Sequence, residues 1–251
     1  MRNYQESGTT FVKLGTGAVV QNGDVDQDFL ANVAGQVAAV KCEGKRIGIT
    51  SSGAVTLGRS RLGEEADLDQ AFEIGQQLLT EAWGAALGRH GLSIVEHLIS
   101  ERDIRTDSDA VLDAIQRSLA DVPLLNGHNA KNQGVANIAV TGDNDTLNAW
   151  VASAQGASGL FITTPPGVLD QRGRVIREIR TRRELPAFTY KSTNGTGGMP
   201  SKTRAAFQVA ESGGQSVIVG KTQPHVIFDF VEGFNGFGTR FAPQRMLYSN
   251  R

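Results

Sequence analysis

Apolar and polar positions along the chain follow two alternating periods. Short β-branched runs bounded by Gly, Asn or Pro occupy residues 9–14 (TTFVKL), 46–50 (RIGIT), 93–98, 122–125, 160–164 and 216–219. Runs of that length, bounded that way, read as buried parallel strands. Between them, apolar residues recur every three to four positions. In 29–41, Leu30, Val33, Val37 and Val40 share a face, and Gly44 follows as a stop. Residues 70–90 carry Leu78, Leu79, Ala82, Ala86 and Leu87 on one side and end at Gly91. Residues 107–120 present Val111, Leu112, Ile115 and Leu119, with Thr106, Asp107 and Ser108 as candidate caps, and 201–212 stop at Gly213-Gly214. This alternation predicts an α/β fold, a three-layer αβα sandwich with a mainly parallel central sheet. Ligands of such sheets sit beyond the carboxyl ends of the strands. With no internal repeat, Pro-rich linker or low-complexity tract, 1–251 reads as a single domain with two lobes.

Composition narrows the partners. Lys and Arg number 25 against 26 Asp and Glu, a net charge of −1. That balance carries no overall electrostatic footprint for nucleic acid or an anionic membrane. Cys42 is the single cysteine, which excludes an internal disulfide framework and makes a reducing, cytoplasmic compartment the expectation. No apolar run reaches the roughly 18 residues that span a bilayer, and MRNYQESGTT lacks the apolar core of a signal peptide. Glycine is the outlier, 30 of 251 residues, or about 12% against a usual ~7%.

Those glycines are placed with a purpose. Lys13-Leu14-Gly15-Thr16-Gly17 follows the first strand, Ser51-Ser52-Gly53-Ala54 follows the second, and Gly195-Thr196-Gly197-Gly198-Met199-Pro200-Ser201-Lys202 precedes a helix. Glycines let backbone approach an anion, helix starts point N–H groups at it, and an attached lysine adds formal charge. One cluster alone is an ordinary tight turn; three, two of them with a lysine, point to phosphate. Two familiar phosphate loops are excluded. Gly220-Lys221-Thr222 is preceded by Gln215 where a Walker A loop needs glycine, and Gly15-x-Gly17 is followed by Val20 where a dinucleotide-binding turn needs glycine.

KLGTG, SSGAVTLGR, VTGDNDTLNA and GTGGMPSK, in this order and spacing, together with Gly75-Gln76, Val122-Pro123 and Val231-Glu232-Gly233, resemble the amino acid kinase family, most of all its glutamate-phosphorylating members. The likeness covers nearly the whole chain. It implies the fold of that family, with an acceptor-binding lobe at about 1–155 and a nucleotide-binding lobe at about 156–251. It implies ATP with Mg²⁺, transfer to the γ-carboxylate of glutamate or an analogue, and a homo-oligomer of two or four copies. Many such members carry a further C-terminal RNA-binding-like domain, and the sequence stops before one begins. By the resemblance, Lys13 and Lys202 flank the transferring phosphoryl group and Asp145 holds both, as the catalytic set. Ser52, Gly53, Asn126, Asn129, Asp143 and Asn144 bind the acceptor. Gly15, Thr163, Thr164, Thr196, Gly197, Gly198, Met199 and Lys202 bind nucleotide, with backbone N–H groups of Gly15 and Gly53 donating to the phosphoryl oxygens. No protein metal cage is implied, because Mg²⁺ rides on phosphates and water.

The chain departs from the family pattern in two loops. Asn126-Gly127-His128-Asn129 stands where N-E-N-D is usual, and Thr163-Thr164-Pro165 where T-D is usual. An amide in place of a carboxylate loses a charge-assisted hydrogen bond, about twice as strong as a neutral one. Two alternatives therefore stand beside glutamate: a different carboxylate or phosphate acceptor, for which His128 is a candidate donor, or a non-catalytic regulatory homologue. The six arginines between Arg172 and Arg183 read as a solvated hairpin, with a polyanion-docking patch as the sharper alternative.

Overall fold

The computed structural model describes residues 8–127, 143–184, 198–233 and 236–242. The chain begins with β1 (Thr9–Leu14), a single turn α1 (Thr16–Val19), a small hairpin of β2 (Val20–Gln21) and β3 (Asp24–Val25), α2 (Gln27–Cys42), β4 (Arg46–Ser51), α3 (Ala54–Leu62) and α4 (Leu68–Gly88). It continues through β5 (Ile94–Ile99), α5 (Glu101–Ser118), β6 (Val122–Gly127), α6 (Asn144–Ala154), β7 (Ser158–Thr163), β8 (Glu178–Ile179), α7 (Met199–Glu211), β9 (Ser216–Gly220), α8 (Val226–Val231) and β10 (Thr239–Phe241). Among the described residues eight strands form one sheet in the order β5-β6-β4-β1-β7-β9-β10-β8. The first six are parallel; β10 runs antiparallel to β9 and parallel to β8.

Strand pleating separates the core into two layers. Val12 and Leu14 of β1, Ile47 and Ile49 of β4 and Leu160 and Ile162 of β7 pack with α2, α3, α4 and α8. Phe11, Leu125, Phe161 and Ile218 point the other way, onto α5, α6 and α7. The expected three-layer αβα sandwich is thus observed. No helix among the described residues is long and apolar enough to cross a membrane.

Gly44, Gly91 and Gly213 take positive φ at helix exits, as stop residues do. The third long helix starts earlier than its apolar stripe suggests. Ser100 caps it in a reciprocal box with Asp103, so α5 begins at Glu101. Asp107, a candidate cap in the sequence, is non-helical at a kink where two helical segments meet, and its carboxylate accepts the Ala110 N–H at 3.1 Å as the cap of the second. On the other face α3 and α4 touch backbone to backbone. A Cβ at Gly75 would lie 1.7 Å from the Ala54 carbonyl oxygen, and one at Gly58 the same distance from that of Ala71.

Candidate active site

The carboxyl ends of β1, β4, β6 and β7 lie side by side, and the chain changes direction across the sheet there, from the β4 side of β1 to the β7 side. Such a switch leaves a crevice above the strands. Lys13 is the penultimate residue of β1 and shares the face of Phe11, which puts its side chain under α6 and α7. Asp145 enters from the first turn of α6, whose N-cap is Asp143; Lys202 enters from the first turn of α7, whose N-cap is Gly198.

These three side chains meet. Lys13 Nζ lies 2.7 Å from Asp145 Oδ1 and Lys202 Nζ 3.1 Å from Asp145 Oδ2, with Asp145 fully buried and both lysines nearly so. Burial pulls the Lys13 ammonium below its ordinary value, opposed by Asp145. Burial pushes Asp145 upward, yet the two ammoniums outweigh it and hold its carboxyl below the usual aspartate range. Asp143 is pushed up, first by burial and then by the Asp145 charge. Two cations on one carboxylate leave one positive charge unpartnered within the triad. Buried charge is costly unless paired, so the arrangement is built to receive an anion.

The glycines shape the space around it. Gly53 caps α3 at φ +119°, a conformation that favours glycine. Gly15 differs from its expected role. Its N–H donates to the Ile162 carbonyl at 3.0 Å and is not available to a phosphoryl oxygen. It lies against both lysines: a Cβ there would make ordinary contacts at 3.7 Å from Lys13 Nζ and 3.9 Å from Lys202 Cε. A Cβ at Gly17 would lie 2.7 Å from Thr164 Oγ1, the end of an exposed side chain. Thr163 ends β7, and its carbonyl accepts the Lys221 N–H at 2.8 Å. Met199, expected beside nucleotide, packs its side chain against the core of the α6–α7 face. Ser201 Oγ is buried in the first turn of α7 without a hydrogen-bond partner among the described residues. Asn129, Thr196 and Gly197 lie outside the described residues.

On the β4–β6 side the hub is Asn144. Its Nδ2 donates toward Ser51 O (3.2 Å), Ser52 Oγ (3.1 Å) and Asn126 Oδ1 (2.7 Å), and its Oδ1 accepts the Gly127 N–H at 2.9 Å. The strand beneath is braced by Trp83 Nε1 on Ser51 Oγ and by Thr50 Oγ1 on Asn148 Oδ1, all buried. Sequence reasoning missed this bracing and Gln76, which donates to Glu96 and accepts from Asn126. The only signal was Gly75-Gln76, noted as a likeness without a role.

A parallel α/β sheet with two buried lysines converging at strand ends is suited to transferring a phosphoryl group. The model for the amino acid kinase family matches residues 8–221, and the chain belongs to that family and is a kinase. Glutamate 5-kinase of Vibrio parahaemolyticus is 31% identical over 97% of this chain and 69% of its own length. That of Pseudomonas paraeruginosa is 33% identical over 93% and 68%. Among solved structures, an isopentenyl phosphate kinase matches with TM-score 0.64 at 17% identity, covering 93% of this chain and all of its own. The carbamate kinase of Giardia matches with TM-score 0.62 at 16% identity, over 94% and 99%. At these identities the structural likeness is one of fold.

Proposed function

We propose that the protein transfers the γ-phosphoryl group of ATP to the side-chain carboxylate of glutamate. The observation that carries this reading is the buried Lys13–Asp145–Lys202 triad, with its one unpartnered positive charge, at the strand ends. In phosphoryl transfer the protein mainly positions the reactants and offsets charge on the phosphoryl oxygens. A carboxylate acceptor with a pKa of ~4.3 is ionised at neutral pH and needs no general base. Its oxygen forms the new bond to the γ-phosphorus while the bond to the bridging oxygen breaks, leaving ADP and an acyl phosphate. Lys13 and Lys202 stabilise the transferring group, and Asp145 fixes both ammoniums.

The residues present suit a nucleoside triphosphate. Gly15 beside both lysines, Ser201, whose hydroxyl has no hydrogen-bond partner among the described residues, and the Gly198-capped start of α7 lie on one side. Thr163 and Thr164 at the end of β7 extend it, and in this reading 156–251 is the nucleotide-binding lobe, with Thr196, Gly197 and Met199 among its contacts. In the same reading Ser52, Gly53, Asn126, Asn129, Asp143 and Asn144 bind the acceptor within the lobe 1–155. Among the described residues no three His, Cys, Asp or Glu side chains come together to hold a metal ion. Mg²⁺ in this reading is held by phosphates and water. The assembly expected is a dimer or tetramer, which light scattering on the purified protein decides.

One observation favours a second acceptor. Gly127 offers only its N–H, spent on Asn144, where similar kinases carry a glutamate side chain. The deciding experiment follows ADP release with glutamate, N-acylglutamate, aspartate and small phosphates, with hydroxylamine trapping of any acyl phosphate. Hydroxamate from glutamate at ordinary KM supports the main reading. Turnover with another acceptor, and none with glutamate, overturns it. If no acceptor turns over but a metabolite raises Tm, the chain is a regulatory homologue.

A further inference from the structure

A chain of amides leads from the acceptor side of the site to the surface of the outer strand. Asn144 Nδ2 donates to Asn126 Oδ1 at 2.7 Å, and Asn126 Nδ2 donates to Gln76 Oε1 at 2.6 Å. Gln76 Nε2 donates to Glu96 Oε1 at 2.8 Å, and Thr80 Oγ1 donates to the same oxygen. Asn126 and Gln76 are buried, whereas Glu96 stands exposed on β5.

An amide side chain can turn over and exchange its donor for its acceptor, so a chain of amides holds one direction only where groups with a single role fix it. Backbone does so at the inner end: the Gly127 N–H donates to Asn144 Oδ1 and the Ser51 carbonyl accepts from Asn144 Nδ2. Glu96 does so at the outer end. A carboxylate only accepts, so Gln76 presents its NH₂ outward and its oxygen inward, and Asn126 gives its NH₂ to Gln76 and its oxygen to Asn144. A reversed Gln76 would set its oxygen against a carboxylate oxygen and its NH₂ against that of the buried Asn126.

We infer that Glu96, acting through Gln76, is a positioning residue that locks the outer end of the amide chain in the direction the backbone sets at Asn144, so holding Asn126 and Asn144 in place and setting the affinity for the acceptor. Gly75 makes the chain possible. Its missing Cβ lets α4 approach the Ala54 carbonyl, and the next residue, Gln76, then reaches under β6. The inference rests on the proposed placement of the acceptor beside Asn144, and the test separates the two.

Steady-state kinetics with glutamate are compared for Glu96→Ala, Gln76→Glu and the double variant Gln76→Glu/Glu96→Gln. Loss of the anchor is expected to raise acceptor KM about tenfold, the scale of one lost charge-assisted bond, with kcat and the KM for ATP within about twofold. Gln76→Glu faces two carboxylates and is expected to be worse. The double variant restores an acceptor beside Asn126 and a donor–acceptor pair behind it, and is expected to return towards wild type. A merely structural role would lower Tm, kcat and the affinity for ATP together with that for the acceptor. Unchanged acceptor KM in Glu96→Ala, or equal loss in KM for ATP, kcat and Tm without rescue, overturns the inference. If no carboxylate acceptor turns over in the wild type, the functional reading fails and the relay is judged by NMR. The side-chain NH₂ signals of Asn126 and Asn144 are expected to move in Glu96→Ala and return in the double variant; unmoved signals overturn it.

Discussion

Two regions concentrate charge, and they treat it in opposite ways. At the strand ends, Lys13, Asp145 and Lys202 are buried and unequal, two cations to one carboxylate. The segment from Arg172 to Arg183, expected as a hairpin, instead runs from a turn into β8, which pairs in parallel with β10; its arginines are exposed, and three of the six are met by carboxylates. Arg174 pairs with Asp170, Arg180 with Glu178, and Arg182 with Glu211 through both carboxylate oxygens. Asp170 also accepts the N–H groups of Arg172 and Arg174 and so closes the turn. Water and salt screen exposed pairs, which leaves each worth little. In the buried triad bulk solvent is shut out, and the further carboxylate that acts on the two lysines among the described residues, Asp143, is itself pushed up by burial. An uneven count of charges is meaningful only where solvent cannot even it out, and half of the arginine cluster is offset within its own neighbourhood.

The largest effect expected is on turnover. Lys202→Ala removes one of two cations aimed at the transferring group, and kcat is expected to fall by about 10²–10³ or more, with ADP affinity within a few-fold by calorimetry. A wild-type rate would end the catalytic assignment of that side of the triad. Next comes stability. Asp145→Ala leaves two buried ammoniums facing each other, and breaking a buried pair costs about 3–5 kcal/mol. Denaturant titration should show that loss, where Arg182→Ala should not.

The pH dependence carries the same contrast into a single turn of α6. Asp145 sits below the usual aspartate range when folded, so in acid the unfolded chain binds more protons. Its contribution is present at neutral pH and is lost as pH falls through the folded value. Asp143 has the opposite sign. Burial and the Asp145 charge push it up, so the folded chain keeps its proton to higher pH, and ionisation takes stability away as pH rises. Asp143→Asn keeps an oxygen to cap α6 and is expected to raise Tm at pH 7. The difference from wild type should shrink as the buffer approaches the range where Asp143 is protonated. A Tm gap that widens in acid would reverse the assignment.

How much of this was legible depends on whether the signal is local. The strand of Thr9–Leu14 and the helices of α2 and α4 announce themselves by apolar period and glycine stops. The meeting of Lys13, Asp145 and Lys202 came from motif order, since no spacing rule brings positions 13, 145 and 202 together. The Gly15 N–H escaped sequence reading for a physical reason: a glycine beside a strand end looks the same in sequence whether its N–H is open to a ligand or bonded to a neighbouring strand. That β7 claims its N–H is a fact of sheet pairing. The cap at Asp107 was legible because cap and apolar stripe are local, whereas the segment from Glu101 to it, capped by Ser100, carries too little of that stripe to show. Gln76 and Glu96 were invisible because β5 and α4 contribute one link each to a chain that exists only in three dimensions.

The smallest effect tests the exposed half of the comparison. Arg182 makes a bidentate pair with Glu211, with Nε–Oε1 at 2.8 Å and Nη2–Oε2 at 2.7 Å, and its guanidinium lies 5.9 Å from the centre of the Phe207 ring. This is the best geometry among the arginine pairs of that segment, and about half of the arginine side chain is still open to water. Its worth should therefore stay under about 1 kcal/mol, a Tm decrease of at most about 2–4 °C on Arg182→Ala for a chain of this size. The decrease should fade further at high salt, because exposed pairs are screened. The Asp145→Ala loss, inside the sheet, should persist at high salt. Equal salt sensitivity in the two variants would mean that water reaches the triad, and the distinction between a solvated and a poised cation would collapse.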